Sequence, residues 1–144
     1  MKKAQWLWTG LLAVVVVLAF AGTWAFAQAA GNPEAEIKTA ISHAGYAAKA
    51  DALNGVHLHL HHVLNCVVGP QDKMFDAAAG NPCKDQGNGA LPDIKAKMGQ
   101  DDQYYEVSLV AQIANQGITS NSLQEAKAAA HVANLILEDA AKAK

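Results

Sequence analysis

The sequence contains no arginine: all 11 of its basic residues are lysines, set against 13 acids for a formal net charge of -2. A near-neutral chain without guanidinium groups lacks the electrostatic footprint and the bidentate phosphate donors that hold nucleic acid, so that class of partner is excluded. Aromatic residues make up only 6%. Alanine is abundant in their place, and because it has the best helix propensity and packs poorly on a sheet, helices are expected rather than a β sandwich. Catalytic signatures are missing as well. No Ser-His-Asp arrangement is recognisable, no glycine loop leads into Lys-Ser or Lys-Thr, and no acids are paired so as to raise one pKa; the chain leans away from an enzyme. Its 144 residues leave room for one domain.

What is present begins with an export signature. Lys2 and Lys3 precede an apolar run from Gly10 to Ala21, and Ala25-Phe26-Ala27 and Ala27-Gln28-Ala29 both offer small-x-small cleavage sites. Residues 1–27 are therefore expected to be a signal peptide, and 28–144 the folded domain. The 24 residues from Ala4 to Ala27 carry no charge, so an uncleaved anchor helix is the alternative, and the only expected contact with a membrane. Either way the remainder is expected to be periplasmic or secreted. In such an oxidising place the two cysteines, Cys66 and Cys83, are expected to pair. Their spacing is far wider than the C-x-x-C of a metal or redox couple, and no c-type haem motif is present.

Helix signals punctuate the rest. Asn32-Pro33-Glu34 reads as cap, first-turn proline and dipole charge, starting a first helix from Pro33 to about Asp51 with a stripe of Ile37, Ile41, Ala44 and Ala48. Leu53 to Val68 is ambiguous, because Val56-His57-Leu58-His59-Leu60-His61 alternates like a strand. Val56, Leu60, Val63, Leu64 and Val67 also share a helical face, and no other segment alternates to pair with, so a second helix ended by Gly69-Pro70 is preferred. Gly69 to Gln100 is broken by Gly80-Asn81-Pro82, Gly87-Asn88-Gly89 and Leu91-Pro92 and reads as one long loop. Asp101-Asp102 opens a third helix in which Tyr105, Leu109 and Ile113 share a face and Gly117 stands at its close; Ser120-Asn121-Ser122 caps a fourth, striped by Leu123, Ala126, Ala130, Ala133 and Leu137. The expected fold is all-α: an up-and-down four-helix bundle with a long disulfide-stapled loop between the second and third helices, preceded by the N-terminal signal or anchor helix.

Histidines are the one concentrated chemistry. Four of the six lie within six positions, His57, His59, His61 and His62, with His43 and His131 on the first and fourth helices. On a helix His57 and His61 stack at i, i+4, and His59 and His62 at i, i+3 on another side. Neutral imidazole is the commonest metal ligand and suits copper, nickel, zinc or iron. Two ligands from one helix make a weak site, so His57 and His61 are expected to lead, assisted by His59, His62, His43 or His131. A histidine-rich helix face is also ordinary polar surface. Met74 and Met98 lack a Met-x-x-Met repeat, and no Glu-x-x-His pair supports a di-iron centre.

Ile41-Ser42-His43-Ala44, Val56-His57-Leu58-His59-Leu60-His61-His62 and Ala130-His131-Val132-Ala133 look like the small exported His/Ala-rich helical-bundle metal-binding proteins of bacteria. That resemblance implies scavenging or buffering of a divalent transition metal. A b-type haem or electron-transfer bundle, and a cofactor-free envelope interaction module, are the other functions the pattern admits.

Overall fold

The computed structural model describes residues 31–99 and 101–143. The segment expected as signal peptide or anchor lies outside them. The described chain is all-helical, with α1 Pro33–Lys49, α2 Leu53–Val68, α3 Ala90–Met98, α4 Asp102–Thr119 and α5 Leu123–Ala140. Among the described residues no helix is long and apolar enough to cross a membrane.

The helix starts follow their caps. Asn32 Oδ1 accepts from the Ala35 N–H at 3.1 Å, Asp101 Oδ1 from Tyr104 at 3.0 Å and Ser122 Oγ from Glu125 at 3.3 Å, each satisfying a first-turn donor that has no partner within its helix. Gly69, at φ 75°, ends α2 as expected. The segment that alternates like a strand is helical, and its apolar face of Val56, Leu60, Val63, Leu64 and Val67 is fully buried.

Three expectations are corrected. The stretch read as one loop from Gly69 to Gln100 contains α3, because Pro92 stands in the helix's first turn, where no N–H is required of it; the first helical bond runs from Asp93 N–H to the Gly89 carbonyl. The inner face of α4 is formed by Val107, Val110, Ala111 and Ala114, while Tyr105 and Leu109 are 60% and 45% exposed. Small residues won that face because they let the helices approach more closely than the large ones would. Gly117 is part of the same close approach rather than a terminator: a Cβ there would stand 2.6 Å from Leu60 Cδ1 and 2.8 Å from Ala129 Cβ, and α4 runs on to Thr119.

The four long helices close a ring, α1 on α2 and α5, α4 on α5 and α2, with α3 against α1, α2 and α4. Cys66 of α2 is disulfide-bonded to Cys83 in the loop between α2 and α3, as expected.

Beneath that loop lies a buried acid. Glu36 of α1 is fully buried, with Oε1 accepting from the Gly89 N–H at 2.7 Å and Oε2 without a hydrogen-bond partner. Burial, reinforced by the neighbouring Asp93 carboxylate and only partly opposed by the Gly89 N–H, raises its pKa to about 8. Asp93 in turn accepts from the backbone and side-chain N–H groups of Asn88, both at 2.9 Å.

Candidate metal centre

The apolar face of α2 divides its histidines between two flanks. On one flank His59 and His62, one turn apart, meet His43 of α1. His43 Nδ1 lies 3.2 Å from His59 Nδ1 and 3.2 Å from His62 Nδ1, and one nitrogen from each ring falls within 4.8 Å of the others. Zinc–imidazole bonds of about 2.0 Å place tetrahedral ligand atoms roughly 3.3 Å apart. The two 3.2 Å edges therefore match the ligand spacing of a bound ion.

All three rings are half-buried. Burial, then the adjoining His62 and His59 rings, push His43 down to about 4, and burial followed by His62 pushes His59 down as well. Both are thus neutral near pH 7 and have lone pairs to offer. His62 Nε2 is 2.7 Å from the Ala79 carbonyl oxygen, in the loop between α2 and α3. Tyr46, one turn along α1 from His43, packs its ring 5.6 Å from His43 and 5.4 Å from His59, and is 56% exposed. It forms the outer side of the cluster.

The remaining histidines are placed elsewhere. His57, on the other flank of α2, has its Nε2 2.9 Å from the carbonyl of Ser120 at the C-terminal end of α4. His61 Nδ1 is 3.3 Å from Asp76 Oδ2 without the alignment of a hydrogen bond. His131 is exposed and lines a groove between α1 and α5 with Ser42, Tyr46 and Glu138. The cluster therefore joins three of the six sequence candidates, His43, His59 and His62, and leaves His57, His61 and His131 outside it.

Sequence reasoning missed Tyr46 and the Ala79 carbonyl. Tyr46 had a signal in its i, i+3 spacing from His43; a backbone carbonyl in a loop has none. Chemically the centre offers three imidazole nitrogens and no carboxylate or thiolate, a donor set for copper, nickel, zinc or iron. No protein-family model, curated protein or solved structure matches the chain.

Proposed function

We propose that the chain is an exported small metal-binding protein that sequesters or buffers one divalent transition metal ion at His43, His59 and His62, carried on an up-and-down run of its four long helices. The observation that carries this function is the convergence of three imidazole nitrogens from two helices, with two edges of 3.2 Å. Three imidazole ligands, with no carboxylate or thiolate among them, leave the charge of the ion uncompensated and at least one coordination position open. Such a centre suits an ion that is taken up and passed on.

Export is supported by the disulfide, which persists in oxidising compartments, and by the signal-like N-terminal sequence. The resemblance to small exported His/Ala-rich bundle proteins points the same way. A bare ion is favoured over haem because the three ring centroids stand 4.6 to 5.7 Å apart, too close for a porphyrin plane between two axial rings.

Titration of the purified chain with copper(II) and with zinc tests the proposal. One ion is expected to bind per chain, with binding lost in His43→Ala, His59→Ala or His62→Ala and retained in His57→Ala and His131→Ala. Unchanged affinity in a His59→Ala/His62→Ala variant overturns it.

A further inference from the structure

Of the three clustered rings, His62 is the one gripped from outside. Its Nε2 lies 2.7 Å from the Ala79 carbonyl oxygen, an atom that only accepts. Nε2 therefore carries the proton, and in the neutral ring Nδ1 is left as a lone pair. Nδ1 is the nitrogen that meets His43 at 3.2 Å. An outer N–H bonded in this way fixes the tautomer and orientation of a ligating imidazole.

Ala79 belongs to a loop with no regular structure of its own, so its position must be imposed. Asn65, 1% exposed, does so with three bonds: its Nδ2 donates to the carbonyls of Asp76 and Gly80, both at 2.7 Å, and its Oδ1 accepts from the Asp76 N–H at 2.8 Å. These bonds bracket Ala79 on both sides. The next residue of α2, Cys66, is bonded to Cys83 and ties down the far end of the same segment. Asn65 and Cys66 follow His62 at i+3 and i+4, on the flank of α2 that carries it. The loop thus reaches the metal cluster through one carbonyl and is fastened to α2 by two adjacent side chains.

The geometry points to the Cys66–Cys83 disulfide as a redox latch on this centre, an inference that rests on the metal-binding function proposed above. With the bond formed, both fastenings hold the loop and keep His62 in its ligating tautomer; when a dithiol reduces the bond, the loop keeps only its Asn65 fastening and the ion is released more readily. Both cysteines are buried, Cys66 at 0% and Cys83 at 3% exposure, so the exchange proceeds when the loop opens locally. One thiolate of the dithiol attacks a sulfur of the bridge, its second thiol resolves the mixed disulfide, and the dithiol leaves as a disulfide while Cys66 and Cys83 each gain a proton. Loss of the outer partner of a histidine ligand lowers metal affinity by roughly 10- to 100-fold.

Zinc competition against a chromophoric chelator tests the latch on the full chain. Zinc has no redox chemistry of its own, but free thiolates bind it, so the reduced form is alkylated at both cysteines and a Cys66→Ala/Cys83→Ala variant is measured beside it. The disulfide-bonded chain is expected to bind about 10- to 100-fold more tightly than either. Equal affinity, with helical circular dichroism retained, overturns the proposal. A second readout is independent of whether the bridgeless forms fold: nitrogen-15 NMR of the metal-free, disulfide-bonded chain is expected to show the His62 proton on Nε2. A proton on Nδ1 overturns the latch by itself. If the disulfide-bonded chain fails to bind zinc, or binds it unchanged after His43→Ala, the metal centre fails rather than its regulation.

Discussion

Three Nδ1 atoms meeting around His43 cannot all be satisfied by one another. With the His62 proton engaged at Ala79, its Nδ1 accepts, and His43 Nδ1, 3.2 Å from both neighbours, cannot at once donate to that lone pair and accept from His59. One cation in the same place would engage all three. His57 has the opposite role, donating from Nε2 to the Ser120 carbonyl at 2.9 Å and so satisfying a carbonyl at the end of α4 that its own helix leaves open. His57→Ala is expected to cost about 1 kcal/mol of stability in urea unfolding while leaving zinc affinity unchanged. Glu36 sets a pH dependence of its own. Its pKa is raised from 4.5 to about 8 in the folded chain, so the folded state binds the proton more tightly than the unfolded state. Its contribution to stability is present below pH 4.5 and is lost as pH rises through 8. Thermal melts between pH 5 and pH 9 are expected to show the midpoint falling up to about pH 8 and levelling off above it. Glu36→Gln, which keeps an acceptor for the Gly89 N–H and stays neutral, is expected to flatten the fall and to be the more stable form at pH 9.

At the level of helices, termini were legible and faces less so. The caps at Asn32, Asp101 and Ser122 and the stop at Gly69 were readable because capping is local chemistry between residues two or three apart. Asp101→Ala is expected to cost about 1 kcal/mol, measured by urea unfolding. Helix α3 was hidden by Pro92, whose meaning depends on whether a helix has already begun upstream of it. The α4 face was misread for a related reason: periodicity finds the large apolar side chains, whereas the helices pack through Val107, Val110, Ala111, Ala114 and Gly117. Gly117→Ala tests that closeness. Alanine gains up to about 1 kcal/mol in helix propensity, but its methyl group would meet Ala129 Cβ at 2.8 Å, and Cβ atoms on packed helices do not yield cheaply. Overpacking of about 1 to 3 kcal/mol is expected to win, giving a net loss of stability in urea.

For the whole molecule, the disulfide fastens the loop between α2 and α3 to the ring of helices. Closing a loop of this length is worth roughly 3 kcal/mol in the chain-entropy model. The Cys66→Ala/Cys83→Ala variant is therefore expected to melt at lower temperature while the four long helices, packed on one another by α1, α2, α4 and α5 contacts, retain their circular dichroism. The packing of α1 on α2 also brings His43 to His59 and His62, so the histidine cluster and the core depend on the same interface.

By itself the sequence determined an all-helical chain with a paired Cys66 and Cys83 and a histidine-rich second helix, because composition, caps and apolar periodicity act over a few residues. It also separated the α2 histidines into His57 with His61 and His59 with His62. It put His57 and His61 in the lead, but which pair a neighbour would complete was beyond it, since both flank the same apolar stripe. Only the tertiary structure decided that, by laying α1 along the flank that carries His59 and His62 and the end of α4 against His57. Ligand sets built from separate helices are fixed by how whole helices pack, and that balance sums contacts along their full length.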